Sequence, residues 1–220
     1  MTKSNQRGRF IMTEAFYNHL AKTRHQIHQH PEVSEEEHET TVFLKGYLRN
    51  LGIEPLNYPL KTGLIAEVGS GHPIIALRAD IDALPIKEKT GLPYASDNGA
   101  MHACGHDFHL TTIYGVALLL NENAAQLHGT VKLLFQPAEE SSLGALKIIE
   151  TGVLDDVNAI FGIHSTSQFE VGTIGIKAGT VSAAVDRFKI NLKGFGSHAA
   201  HPQMAKDPIV AAAALVNSLQ

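Results

Sequence analysis

A chain of 220 residues with a formal charge of −4 and no concentrated run of Lys or Arg lacks the basic footprint of a nucleic-acid binder. The apolar fraction of 44% supports a buried core, yet no stretch nears the roughly twenty apolar residues of a membrane span, so neither nucleic acid nor membrane is an expected partner. A single cysteine rules out an internal disulfide and points to a reducing compartment, the cytoplasm.

The first twelve residues are polar, with Lys3, Arg7 and Arg9, and lack the apolar core of a signal peptide. Met12 is a plausible true start, with the preceding residues a disordered extension. Helical spacing of Phe16, Leu20 and Ile27 predicts a helix from Glu14 to His30, stopped by Pro31. Ser34 and Glu37 have capping-box spacing, and Phe43, Leu44, Tyr47, Leu48 and Leu51 form the buried stripe of a second helix ending before Gly52.

Short apolar runs at Leu64 to Val68 and Ile74 to Arg78 predict strands, separated by Gly69-Ser70-Gly71. A helix follows from about Asp107 to Leu120, then a strand from Val131 to Phe135, a helix from Leu143 to Glu150 and a buried strand from Ala159 to Ile163. This alternation predicts a three-layer α/β domain with a mainly parallel sheet. Ligand groups in such sheets collect past the carboxyl ends of the strands, where Asp80, Glu139, Glu140 and His164 fall. The pattern changes near Gly179. Residues Asp186 to Lys193 alternate as in a half-exposed strand, and Asp207-Pro208 opens a helix that reaches Gln220. The expected organisation is a first domain over 12–179 and the start of a smaller second domain over 180–220, cut short at Gln220.

The chemistry concentrates in Met101-His102-Ala103-Cys104-Gly105-His106-Asp107. A lone cysteine is usually a small buried hydrophobe, but flanking imidazoles and a carboxylate make Cys104 and His106 candidate ligands of one or two transition-metal ions. His102 is set aside as a structural or supporting residue, and Asp107 is read as the cap of the following helix. Glu139 and Glu140 follow an apolar strand; one carboxylate can hold metal while the other acts as general base, and spacing does not say which. Asp80 and Asp82 can orient the ligands or simply serve a turn. His164 becomes a plausible fourth ligand only in the company of the others. His198, among small residues in Gly196 to Pro202, can stabilise developing negative charge.

These segments, in order, resemble the metal-dependent aminoacylase and amidohydrolase family, which includes hippurate hydrolases, indole-3-acetyl-amino acid hydrolases and N-acetyldiaminopimelate deacetylases. The matching residues are His28-Gln29-His30-Pro31-Glu32, Arg78 to Pro85, Met101 to Asp107, Gln136 to Glu140, Gly162-Ile163-His164, and Gly196 to Ala200 with Asp207-Pro208. The resemblance implies two divalent ions (Mn, Zn, Ni or Co) held by Cys104, His106, Glu140 and His164. It implies Glu139 as general base, Asp80 as an active-site aspartate, Asp82 as its neighbour supporting the metal shell, and His198 in a lid that reaches the partner's site in a homodimer. The expected activity is hydrolysis of the amide bond of N-acyl amino acids. Two other readings are a truncated, non-catalytic metal-binding remnant and a cysteine-nucleophile hydrolase built on Cys104 and His106.

Overall fold

The computed structural model describes residues 12–219, so the N-terminal extension expected before Met12 lies outside the described residues. The chain divides into two compact units, the first through Gln168 and the second from Phe169. The expected boundary at residue 180 falls inside the second unit. Among the described residues, no helix is long and apolar enough to cross a membrane.

The first unit opens with α1 (Glu14–Gln29) and α2 (His38–Asn50), followed by β1 (Leu64–Ser70) and β2 (Ile74–Asp80). Then come α3 (His106–Glu122), β3 (Gly129–Gln136), α4 (Gly144–Glu150) and β4 (Ala159–Gly162). The sheet order is β1-β3-β2-β4. Strand β1 runs antiparallel to β3, while β3 with β2 and β2 with β4 are parallel. The expected turn between β1 and β2 therefore does not make them neighbours; β3 inserts between them and is buried along its whole length.

Side-chain alternation along the strands builds three layers. Leu64, Ala66 and Val68 of β1 face Leu133 and Phe135 of β3 and the apolar stripes of α1, α2 and α3, including Ile27, Leu44, Leu48, Leu110 and Ile113. Ile65, Ala76 and Leu134 face the other way, onto Ile148 of α4 and Val153. The parallel register sets Asp80 beside Gln136 and Arg78 beside Gly162. The chain thus leaves β2, β3 and β4 at one edge of the sheet, which is where the candidate chemistry converges.

Two local expectations are corrected. The capping box does not form. Ser34 donates to Asp82 Oδ2 (2.6 Å) and Glu37 turns into the core. The start of α2 is capped instead by Glu32, whose carboxylate accepts from the amides of Glu39 (3.0 Å) and Thr40 (2.8 Å) and from the Thr40 hydroxyl (2.8 Å). Strand β4 is exposed rather than buried, with Ile160 and Phe161 more than half accessible, because among the described residues it pairs only with β2 and is an edge.

The second unit contains α5 (Pro208–Ser218), capped as expected by Asp207, whose Oδ1 accepts from the amides of Ile209 and Val210. Residues Asp186 to Lys193 form no strand. Alternation makes a strand only where a neighbour takes the backbone hydrogen bonds, and among the described residues none runs beside them. Phe188, Ile190 and Leu192 are exposed, and among the described residues the unit's sheet-like pairing is a single bridge between Phe195 and Lys206.

Replacing Glu32 by Ala removes every side-chain cap from α2 while leaving its apolar face intact. Urea unfolding is expected to show a loss of about 1 kcal/mol. Unchanged stability would mean that α2 does not depend on this carboxylate.

Candidate metal centre

The loop before α3 turns sharply at Gly105, whose φ of +89° belongs to the left-handed region that favours glycine. A side chain there would also press against Ser165 Oγ, in the segment after β4. This turn presents Cys104 and His106 to the sheet edge. Asp107 does not cap α3, as the sequence suggested. Fully buried, it turns inward to accept from Arg24 Nε (2.8 Å) and His28 Nδ1 (2.9 Å).

His106, also fully buried, is the focus of the site. Its Nδ1 lies 2.8 Å from the backbone oxygen of Asp82 and 3.3 Å from Asp82 Oδ1, which places a proton on that nitrogen. The other nitrogen, Nε2, has no hydrogen-bond partner. It faces Asp80 Oδ2 at 3.6 Å and Glu139 Oε2 and Glu140 Oε1 at 3.9 Å each. A lone pair aimed at three carboxylates is electrostatically unfavourable unless positive charge joins them, either a proton on the ring or a cation among the ligand atoms. Burial alone would lower the imidazole pKa, but the hydrogen bond to Asp82 and the charges of Asp80 and Asp82 raise it above the ordinary value.

Cys104 and His164 complete the cluster. The thiol sulfur lies 3.4 Å from His164 Nε2, and His164 Nδ1 donates to the backbone oxygen of Ser165 at 2.7 Å. Ligand atoms of Cys104, His106 and His164 lie within 4.8 Å of one another, as do those of His106, Glu139 and Glu140 and those of Asp80, His106 and His109. His106 is common to all three groups. Sulfur beside two imidazoles, and carboxylates beside the His106 imidazole they share, suit divalent transition metals. Burial pushes the Cys104 thiol up to about 11, and the charge of Glu140 adds to the push. The thiol is therefore protonated at neutral pH, unlike the depressed thiolates that act as nucleophiles.

The glutamate loop is held from below. Buried Glu37 accepts from the Ala138 amide (2.7 Å) with one oxygen and from the Thr62 hydroxyl (2.7 Å) with the other. Ala138 and Ser142 both adopt positive φ, so the turn between β3 and α4 is tight. Gly144 lets α4 start directly beneath it, since a side chain there would collide with the Pro137 carbonyl oxygen. The Glu140 amide donates to Asp82 Oδ2 (3.0 Å), so Asp82 ties this loop to the strand end. Glu139 is the more exposed of the pair, at 38% against 23% for Glu140. Burial pushes the Asp80 carboxyl up, but the hydrogen bond from His109 and the charges of His106 and Arg78 outweigh it and bring it to about 2.

The residues singled out in the sequence thus divide as follows. Asp80, Cys104, His106, Glu139, Glu140 and His164 gather at one edge of the first unit. His198 lies in the second unit, where its Nδ1 accepts from the Ala200 amide at 3.2 Å. His102 is buried with neither ring nitrogen hydrogen-bonded, and burial lowers its pKa to about 4. Sequence reasoning missed His109, Glu37 and the buried network of His28. His28 Nε2 lies 3.1 Å from Glu88 Oε1 while its Nδ1 meets Asp107, and the Asp107 hydrogen bond, opposed by burial, raises its pKa. The spacing of His106 and His109, one helical turn apart, was the signal available for His109.

Comparison with known proteins places this geometry. Residues 76–218 match the model of Peptidase family M20/M25/M40. An N-acetyl-L-cysteine deacetylase of Bacillus subtilis is 54% identical over 204 residues, covering 91% of this chain and 49% of the relative. An IAA-amino acid hydrolase of Arabidopsis thaliana is 46% identical over 209 residues, covering 94% and 48%. The chain spans about half the length of these relatives. Among solved structures, a Bacillus subtilis dinuclear metal-binding peptidase from the M20 family superposes with a TM-score of 0.72 at 54% identity, covering 74% of this chain and 47% of its own.

The His28 network makes a pH-dependent contribution to stability. Its folded pKa lies above the ordinary value of 6.5, so the native state holds the proton more tightly than the unfolded chain. That stabilisation is complete below pH 6.5 and is lost as pH rises through the folded value. Urea unfolding between pH 6.5 and 8.5 is expected to show falling stability in the unaltered protein and a flatter profile in His28→Gln. Equal slopes would contradict this role for His28.

Proposed function

This chain belongs to Peptidase family M20/M25/M40, and from that premise we propose that it carries the metal-binding machinery of an amidohydrolase acting on N-acyl amino acids. The observation that supports this most is His106 Nε2, buried without a hydrogen-bond partner and facing three carboxylate oxygens beside a thiol and a second imidazole. In this reading Cys104, His106, Glu140 and His164 hold two divalent ions, drawn from Zn, Ni, Co or Mn by their mixed sulfur, nitrogen and oxygen donors. When bound, such ions polarise the amide carbonyl and acidify water. Glu139, the more accessible glutamate, takes a proton from water at its carboxylate and returns it to the departing amine. Asp82 fixes the His106 tautomer and the Glu140 loop, and Asp80 faces the same imidazole. The family resemblance gives His198 the part of a hydrogen-bond donor to developing negative charge.

The division into a metal domain over 12–179 and a lid over 180–220, the homodimer and the cytoplasmic location belong to the same reading, supported by the family resemblance and by the single cysteine. A cysteine-nucleophile mechanism is disfavoured by the thiol pKa of about 11 among carboxylates. Substrate class is supported by the relatives, which are named for N-acetylcysteine deacetylation and IAA-amino acid hydrolysis.

Two outcomes test this reading. Glu139→Gln is expected to retain metal while hydrolysis of N-acetyl and N-benzoyl amino acids falls by about 10²- to 10⁴-fold. Turnover equal to that of the unaltered protein would remove Glu139 from the chemistry, and metal binding with no turnover by the unaltered protein would favour a non-catalytic metal protein. Separately, because the Cys104 thiol is protonated at pH 8, zinc must displace its proton. Calorimetry in buffers of different ionisation enthalpy is expected to register about one proton fewer released on zinc binding by Cys104→Ser. Identical proton release by the two proteins would take Cys104 off the metal.

A further inference from the structure

We propose that His109 is a positioning residue of the metal centre, one ring that fixes the Asp80 carboxylate with one nitrogen and the His164 segment with the other. This rests on the metal-centre reading given above. His109 is fully buried on α3, one turn beyond His106. Its Nδ1 lies 2.6 Å from Asp80 Oδ1. Its Nε2 lies 2.8 Å from the Ser165 amide nitrogen and 3.2 Å from Ser165 Oγ. A backbone N–H can only donate, so Nε2 is the acceptor and the ring proton sits on Nδ1, pointed at Asp80.

Two consequences follow from that tautomer. Both nitrogens are engaged, so His109 is not itself a ligand, although its donor atoms lie within 4.8 Å of those of Asp80 and His106. Nor is it a base for Ser165 in a serine, histidine and aspartate relay, because its lone pair is already taken by the Ser165 amide. Ser165 Oγ donates to the Cys104 carbonyl at 3.3 Å instead.

What remains is orientation. Asp80 is held at Oδ1 by His109 and at Oδ2 by Arg78 (2.8 Å), and Oδ2 is the oxygen facing His106 Nε2. Losing the His109 bond frees the carboxylate to rotate away from that face. His164 is exposed and follows an edge strand, so little packing restrains it. Its Nδ1 donates to the Ser165 carbonyl, and the Ser165 amide is tied to His109, whose ring centroid lies 4.6 Å from that of His164. A buried ring thereby sets the direction of an exposed imidazole through one residue of backbone.

The two halves of this role separate by substitution. His109→Asn keeps a donor where Nδ1 stood and loses the acceptor for Ser165. His109→Gln keeps an acceptor where Nε2 stood and loses the donor to Asp80. Zinc affinity is measured by competition with a chromophoric chelator, and the thiolate band of the cobalt-loaded protein reports the Cys104 environment. Thermal unfolding of the metal-free protein is followed in parallel. Each variant is expected to bind zinc about 10- to 100-fold more weakly with a shifted or weakened cobalt band. Their metal-free unfolding midpoints should stay near that of the unaltered protein. Unchanged zinc affinity and cobalt spectrum in both variants would overturn the proposal, as would a loss of metal-free stability with affinity intact, which marks a merely structural histidine. Unaltered protein that takes up neither ion would defeat the metal-centre reading itself, and this proposal with it.

Discussion

Negative charge gathered around one buried imidazole nitrogen is the condition on which the site depends. Asp80, Glu139 and Glu140 all bring oxygens within 4 Å of His106 Nε2, and Asp82 stands on the opposite side of the ring. Bringing carboxylates together in a partly buried space is unfavourable without compensating positive charge. The fold supports the arrangement by holding each group from behind. Arg78 and His109 hold Asp80, Ser34 and the Glu140 amide hold Asp82, and Glu37 holds the glutamate loop through Ala138. These supports leave the inner faces of the ligand groups pointed at one another, an arrangement that favours a cation over a self-contained hydrogen-bond network.

The sheet makes this convergence possible. Parallel pairing of β3, β2 and β4 brings three carboxyl ends to one edge, and the reversed strand β1 is kept to the far side of β3. The loop before α3 reaches the same edge because Gly105 turns in the left-handed region that favours glycine. Behind it, the cluster of Arg24, His28, Glu88 and Asp107 locks α1 to the start of α3. Asp107 therefore contributes to the site through the placement of its neighbour His106 rather than by touching it.

Much of this was legible in the residues. Cys104 and His106 stood out because sulfur and imidazole two positions apart have few structural uses, and the strand-helix alternation sufficed for a three-layer α/β fold. Single groups were less readable. His164 carried meaning only once the others were in place. The acid at Asp107 and the Ser34–Glu37 spacing both matched helix-start patterns, yet tertiary partners drew these side chains away: His28 and Arg24 for Asp107, Asp82 for Ser34, and Thr62 with Ala138 for Glu37. Local rules describe what a free helix end wants, and a buried polar partner outweighs them. The sequence of strand β4 reads as buried because an apolar run has the same composition in a sheet centre and at its edge. His109 escaped notice because its function lies in two hydrogen bonds to residues 29 and 56 positions away.

The central claim, that a thiolate and imidazoles at this edge share a bound cation, is tested most directly by X-ray absorption at the metal edge of the zinc-loaded protein. The account requires a sulfur scatterer at about 2.3 Å together with imidazole outer-shell features, with the sulfur lost in Cys104→Ser. A coordination shell of nitrogen and oxygen alone, the same in both proteins, would contradict it.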